Sequence, residues 1–474
     1  MINPTRRIAL NTVTPIAARV VDAAFAIVYL RLLGRADVGA YTFLVVFTTY
    51  LDTVVDFGLG ALIARDVSRG TVPAAQAFRT VNTIRLALWF FGLPLVLLIY
   101  GPLRQAANLS PEAAVAGWIF YAALLPMVLA KTASGLLWAA ERLDLNAAVS
   151  VLTTLVKTGL GAIVLFGGFG LVGLAAASLL TNLVTTGVFL VLASTKTDGV
   201  RGVLAWRGQD SLRWLREGWP LFINALLQGL FFKVDALLLP GLAGDVAAGT
   251  YAAAYKVSEG AGIFQSSLTL ALFPRLSRDA DLSHAYRLAL RALLQLAFPL
   301  AVGVALLSEP IVALVGGKQY LPDSATALAI LICYLPLSYI NGLTQYVLIA
   351  TGKQRLLTGA FAAALAFNLV ANLILIPRFS YIGAAWVTVA SEIVLLVPFR
   401  LAAGSVTRGV SLLSAAWAPV LATLLMAPVV WWLRDAIHPL VAIPAGAVVY
   451  AVALWTLGGI DPHQRRVLMQ FVRP

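Results

Sequence analysis

Along the chain, apolar residues run on for about 20 positions at a time, and short polar stretches separate the runs. A helix of that length spans the hydrocarbon core of a bilayer. Such windows fall near 8–30, 38–62, 81–100, 113–136, 145–167, 171–193, 218–241, 247–272, 289–308, 325–349, 358–376, 382–402, 412–433 and 440–458. Gly and Pro punctuate many of them, which membrane helices tolerate because neighbouring helices meet the freed backbone groups. The pattern predicts an all-α polytopic membrane protein of about 14 transmembrane helices. Arg6 and Arg7 precede the first window as basic residues precede a signal-peptide core. That window runs past 20 residues and many others follow, so it reads as a retained first span.

The polar stretches set an orientation. With a cytoplasmic N-terminus, the cytoplasmic segments hold 21 Arg and Lys residues, and the opposite side holds six: Arg31, Arg35, Arg104, Lys318, Arg378 and Arg434. This positive-inside bias predicts that both termini are cytoplasmic.

The windows also repeat. A shift of 210 residues lays the chain on itself without a gap, pairing Gly34 with Gly244, Gly39 with Gly249, Tyr41 with Tyr251 and Arg65 with Arg275. Further on it pairs Phe169 with Phe379 and Gly173 with Gly383. Matches of Ala and Leu arise by chance in such a composition, so the Gly, Tyr and Arg pairs carry the inference. Each half contains six helices, an even number, so both halves share one orientation. The expected architecture is two parallel-repeat six-helix lobes plus two C-terminal helices, with a substrate site between the lobes. The expected divisions are 1–193 for the first lobe, 194–217 for a cytoplasmic linker, 218–403 for the second lobe, and 404–474 for helices 13 and 14 with a cytoplasmic tail.

Composition agrees with a membrane solvent. Of the residues, 60% are hydrophobic and 12% charged, with mean hydropathy +0.89, against about 45–50% and about 25% in ordinary soluble domains. The net charge of +13 sits singly or in pairs between apolar runs, the distribution of topology signals and not of a nucleic-acid footprint. Cys333 stands alone, which excludes a disulfide framework, and the histidines His284, His438 and His463 form no ligand cluster in sequence.

Ionisable residues inside the windows are the candidate chemistry. The bases are Arg19, Arg85, Lys131, Lys157, Lys233, Lys256 and Arg291; the acids are Asp22, Asp52, Asp56, Asp235, Glu259 and Glu392. Each costs roughly 2.5–3.5 kcal/mol at a helix centre, so each is expected to face a wet cavity or a partner. Arg19 with Asp22, and Lys256 with Glu259, lie three apart, while Asp52 and Asp56 lie four apart, on one helical face. The two aspartates repel unless a cation, a proton or an arginine stands between them. Arg19, Arg85, Lys233 and Lys256 are candidates for a positive cavity lining that holds a pyrophosphate, guanidinium bidentately and lysine as a point charge. Alternatively they neutralise carboxylates and pin helices. Lys131 and Arg291 stand near window ends, where snorkelling to the interface is expected, and Lys157 stands mid-window. Asp22, Asp52, Asp56, Asp235, Glu259 and Glu392 are candidates for carrying a coupling proton or sodium ion. Gly58-Leu59-Gly60 lacks the context of a phosphate loop. No cofactor, metal site or ATP site is expected.

Several segments together resemble one family. "LRLLGRADVGAYTF", "DFGLGALIARDVSR", "AAERLDLNAAVSV", "KVDALLLPGLAGDVAAGTYAAAYKVSE", "ALFPRLSRD" and "NLILIPRFSYIGAAWVTVASE" are similar to polysaccharide flippases of the Wzx type, within the multidrug/oligosaccharidyl-lipid/polysaccharide exporter superfamily. The resemblance implies two lobes around a solvent-filled cavity, alternating access, and an undecaprenyl-pyrophosphate-linked oligosaccharide flipped outward across the inner membrane. It also implies a role in making surface polysaccharide (O-antigen, capsule or exopolysaccharide) beside the polymerase machinery. The lipid II flippase of the same superfamily has an arginine in helix 1 about a dozen residues before Arg-x-x-Gly, a spacing that Arg19 and "RLLG" match. Ala24 and Phe25 stand where that relative has an acidic and a basic residue.

Two other classes compete. A multidrug or organic-cation antiporter on the same fold calls for an acidic, aromatic cavity, whereas the windows hold seven bases against six acids. A membrane glycosyltransferase or polymerase calls for a sizeable extramembrane loop, which the sequence lacks; its Asp-x-Asp, Asp279-Ala280-Asp281, stands in a short polar stretch between two windows, so no enzymatic activity is expected.

Overall fold

The structure, a computed structural model, describes residues 18, 20–105, 108–197, 202–205, 208–276, 282–436 and 439–460. Among these, the regular structure is entirely helical. Ten of the helices are long and apolar enough to cross a membrane. One of them, Gln354–Ala403, is two helices joined at Ser380, whose φ of 51° and ψ of −137° break the run. The remaining windows hold α1 (20–32), α10 (Asp245–Leu276) and the helix Pro439–Thr456, so helices stand in the described part of every window that hydropathy selects. The chain divides into two compact units, Met1–Ala252 and Ala253–Pro474, with the boundary inside α10.

The first unit contains α2 (Arg35–Asp56), α3 (Leu59–Ser68), α4 (Ala74–Tyr100), α5 (Pro111–Ala122), α6 (Leu124–Ala139), α7 (Leu143–Phe166), α8 (Gly170–Lys196) and α9 (Gly208–Ala243). One apolar cluster joins α2, α4, α5 and α8 through Phe43, Phe47, Tyr100, Phe120 and Leu171. A second joins α3, α4, α6 and α9 through Ile63, Phe78, Ile84, Leu136, Trp214 and Phe222. Since lipid tails are as apolar as leucine, such helices are held by close packing and interhelical polar contacts more than by hydrophobicity. The Trp89 indole donates to the Tyr121 carbonyl at 3.2 Å, the Tyr121 hydroxyl donates to the Trp89 carbonyl, and the two rings stack at 4.7 Å.

The 210-residue repeat has a physical counterpart here. A Cβ on Gly39 would stand 2.0 Å from the Asp245 carbonyl oxygen, and one on Gly249 would stand 1.8 Å from the Arg35 carbonyl oxygen. Gly39 and Gly249 are repeat mates, and so are residues 35 and 245. The start of α10 therefore crosses α2 with contacts that exchange under the repeat. Only glycine permits backbones this close.

The stretch from Val203 into the first turns of α9 is strapped to α3 and to the N-terminal half of α4. The Asn82 amide donates to the Val203 carbonyl at 3.5 Å, and the Ala205 N–H donates to the Thr83 hydroxyl at 3.0 Å. Gln76 donates to Asp210 at 2.7 Å. Arg65 and Arg213 then clasp Asp66 and Glu217 in one four-membered ion network.

The second unit packs α11 (Leu282–Leu306) against the helices Leu335–Ala350 and Leu412–Ala436, and the latter against Pro439–Thr456. The two last helices are anchored by Leu307, Ala422, Met426 and Val430. Polar ties add to this: Gln295 donates to the Gly459 carbonyl at 2.8 Å, and the Tyr450 hydroxyl donates to the Gln295 carbonyl at 2.6 Å.

Because a backbone carbonyl cannot yield as a side chain can, Gly39→Val and Gly249→Val are each expected to cost about 3 kcal/mol, the upper part of the overpacking range. Gly159→Ala and Gly187→Ala, where a Cβ meets nothing within 4 Å, are expected to stay within about 0.5 kcal/mol of the parent. Melting curves of detergent-purified variants check this. Equal melting of all four would show that the crossing is loose.

Candidate functional site

The span carrying Asp52 and Asp56 is interrupted directly after Asp56. Phe57 and Gly58 adopt left-handed backbone (φ 49° and 74°), and α3 restarts at Leu59. A bulky residue seldom occupies that region. Phe57 is held there by stacking on Phe222 at 4.6 Å, with Trp219 at 6.0 Å. Irregular backbone at membrane depth is tolerated where protein covers it, and here α9 does. A Cβ on Gly218 would stand 2.5 Å from the Phe57 carbonyl oxygen. The break turns the end of α2 so that Asp56 meets α4 and α6.

There it meets Arg85. The guanidinium is fully buried; its Nη2 donates to Asp56 Oδ1 and its Nη1 to the Thr132 hydroxyl, each at 2.6 Å. Lys131, one residue before Thr132 on α6, bridges the two aspartates: its Nζ lies 2.7 Å from Asp52 Oδ2 and 3.9 Å from Asp56 Oδ1. The Lys131 side chain remains 25% exposed, whereas Arg85 has no exposure at all. The i, i+4 aspartate pair thus has a cation between its members, one of the three resolutions that the spacing requires. That cation is Lys131. It does not snorkel toward a helix end, because two carboxylates within reach repay its desolvation better than a distant interface does. On the neighbouring helices, Lys157 Nζ lies 3.2 Å from Asp22 Oδ1, both side chains being 47% exposed.

Two cavities open onto this chain of charges, both within the first unit. One, of about 500 Å³, is lined by Asp56, Gly60, Arg85, Lys131, Ser134, Trp138, Thr185 and Phe189 among others. The other, of about 310 Å³, is lined by Phe25, Tyr41, Thr48, Thr49, Asp52, Phe120, Lys157, Ser178 and Asn182 among others. Met127 lines both, and the Lys131–Asp52 ion pair carries one partner in each. Volumes of about 300–1,000 Å³ are those of ordinary small-molecule sites.

The remaining predicted residues lie elsewhere. Arg19 is outside the described residues. Lys233 is half-buried on α9, and Asp235, on the same helix, is buried and accepts the Tyr251 hydroxyl and the Ala236 N–H. Lys256 and Glu259 pair with each other at 2.7 Å in the second unit, at the predicted i, i+3 spacing. Glu392 is buried in the second unit, where the Asn341 amide donates to its Oε2 at 2.6 Å and to its carbonyl at 2.8 Å. Among the described residues, no group of three or more His, Cys, Asp or Glu side chains is placed to hold a metal ion.

Sequence reading missed Lys131 as a site residue, and it missed the break at Phe57–Gly58. The signal for the break was present, since a Gly-x-Gly begins two residues after an intramembrane acid. A Cβ on Gly60 would stand 3.6 Å from both Arg85 Nη2 and Asp56 Oδ1, so the second glycine lies against the ion pair.

Comparison with known proteins gives three findings. The model of a family described as "Polysaccharide biosynthesis protein" matches residues 5–279. A protein of Shigella dysenteriae described as "Putative O-antigen transporter" is 26% identical over 206 residues, 42% of this chain and 51% of its own length. The chain therefore spans about half the length of the curated relative it matches. Among solved structures, "Lipid II flippase MurJ, inward closed conformation" superposes with a TM-score of 0.80 at 15% identity, covering 94% of this chain and 98% of that one. An inward-facing multidrug resistance MATE family transporter of the MOP superfamily superposes with a TM-score of 0.62 at 17% identity, covering 83% and 96%. The fold is that of MurJ- and MATE-like membrane transporters.

Removing Asp56 alone strands a fully buried cation. Asp56→Leu is therefore expected to cost about 3–5 kcal/mol, and the double change Arg85→Met with Asp56→Leu to recover most of it. A double-mutant cycle on thermal unfolding measures the coupling. A coupling near zero would mean that the pair does not hold α2 to α4.

Proposed function

Because the chain belongs to the family of polysaccharide biosynthesis proteins, we propose that it flips an undecaprenyl-pyrophosphate-linked oligosaccharide from the cytoplasmic to the outer face of the inner membrane. It does so by alternating access of two six-helix lobes (1–193 and 218–403, joined by the linker 194–217), with both termini cytoplasmic and helices 13 and 14 in the C-terminal remainder. It acts as a transporter and not as an enzyme, and it hands its product to polymerase machinery outside.

The observation that carries this reading is a cavity of about 500 Å³ among span helices with Lys131 and Arg85 beside Asp56 in its wall. An anionic headgroup entering a membrane protein needs cations, but bare cations in an empty cavity are costly. A lysine shared between two carboxylates resolves the conflict. When pyrophosphate arrives, the Lys131 ammonium exchanges Asp52 for a phosphate oxygen, and when it leaves, the carboxylate returns. Lysine suits this better than arginine does, being a compact charge on a flexible stem. Arg85, buried and held by two acceptors, keeps Asp56 in place during the exchange. Arg19, Lys233 and Lys256 are further candidates for the phosphate, and Asp22, Asp52, Asp56, Asp235, Glu259 and Glu392 for a coupling proton or sodium ion. The source of energy is then an ion gradient or removal of product on the far side.

Complementation of flippase-null strains, scored by lipid-linked repeats retained on the cytoplasmic face, tests the proposal. The parent chain is expected to clear them in at least one glycan system. Lys131→Met and Arg19→Ala are expected to slow clearance about tenfold or more, the loss of one charge-assisted contact, and Arg19→Lys to retain part of it. No clearance in any system, together with drug efflux from vesicles, would replace this reading with the antiporter.

A further inference from the structure

The second cavity carries an inference about the cargo that rests on the flippase reading. We infer that it is a sugar subsite, which takes the pyranose ring attached directly to the pyrophosphate.

Three observations point there. The first is position. The cavity adjoins the charged one across the Lys131–Asp52 pair, with Asp52 in its own wall. In a glycosyl pyrophosphate a single oxygen separates the anomeric carbon from the phosphorus. Since the Lys131 ammonium lies 2.7 Å from Asp52 Oδ2, a phosphate held at Lys131 brings its first sugar to the wall that contains Asp52.

The second is the wall chemistry. A pyranose has an apolar C–H face and a rim of hydroxyls, so it needs an aromatic surface opposite hydrogen-bonding groups. Tyr41 and Phe120, whose centroids are 6.2 Å apart, supply the first. Thr48, Ser178, Asn182 and Asp52 supply the second.

The third is an unmet hydrogen bond. The Thr48 hydroxyl is buried with no partner, an arrangement that costs free energy unless a ligand or water completes it. The Asn182 side-chain N–H groups have one partner in the Ala123 carbonyl at 2.8 Å. That bond fixes the amide at the cavity while its acceptor oxygen is left for a ligand hydroxyl. Such a wall selects by the pattern of hydroxyls on the ring. A site built to pair with a substrate hydroxyl discriminates far more sharply than an apolar one.

The full chain in lipid nanodiscs provides the test, using four probes: undecaprenyl pyrophosphate, and the same lipid bearing one hexose, one N-acetylhexosamine or one 6-deoxyhexose. At least one glycosyl form is expected to bind about tenfold tighter than the bare carrier. Thr48→Val, Ser178→Ala and Tyr41→Leu are each expected to reduce that increment about two- to tenfold, the worth of one hydrogen bond or one ring contact, with affinity for the bare carrier unchanged. Lys131→Met is expected to weaken all four probes alike. These substitutions are near-isosteric or placed at the cavity wall, and melting temperatures equal to the parent's confirm that the fold is kept. If no glycosyl form gains over the bare carrier, or if the gain survives all three wall variants, the subsite is refuted while the flippase reading stands. If none of the four probes binds, the flippase reading falls, and the subsite with it.

Discussion

A charge at bilayer depth must find a counter-charge or water, and the first unit is organised around how its charges do so. Arg85, with no exposure, has taken Asp56 and Thr132 as permanent partners. Lys131, a quarter exposed, divides itself between Asp52 and Asp56 at unequal distances. Lys157 and Asp22, half exposed, form the most solvated pair. Burial thus grades these contacts from fixed to exchangeable. A buried pair breaks only at large cost, whereas an exposed pair is worth little and reforms readily. A passage for an anion needs both kinds, one to hold the wall and one to give way.

The wall itself depends on two departures from regular helix. At Phe57–Gly58 the span breaks and re-aims Asp56, while α9 covers the freed backbone. Between α5 and α6, Asn182 and Thr186 of α8 donate to the carbonyls of Ala123 and Pro126, each at 2.8 Å. Without water to satisfy opened backbone groups, a membrane helix can bend only where a neighbour supplies the missing bonds. Both bends therefore specify their neighbours, and one of those neighbours, α8, lines both cavities. The glycine crossing of α2 with α10 has the same logic. Small residues allow backbone contact where larger ones would hold the helices apart.

Much of this was legible in the sequence. The fourteen windows, the all-helical class and the family follow from hydropathy and from extended similarity, because the bilayer imposes length and apolarity on every span. The repeat marked Gly39 and Gly249 before any contact between their surroundings was known. The spacing of Asp52 and Asp56 required a cation, and one stands there. The identity of that cation was not legible. Lys131 lies 79 residues from Asp52 and 75 from Asp56, near a window end, and its sequence neighbours say nothing of its partner.

What the sequence determined by itself is therefore whatever one helix decides alone: that it spans, which residues are charged within it, and which charges share its face. Tertiary structure decided which charge meets which, because ion pairs form across helices and their geometry is set by packing. Arg85, Asp56 and Lys131 come from three separate spans, brought together by a backbone break and by close contacts among small residues. The cavities likewise exist only between helices. Their lining is a property of the packing and of no single segment.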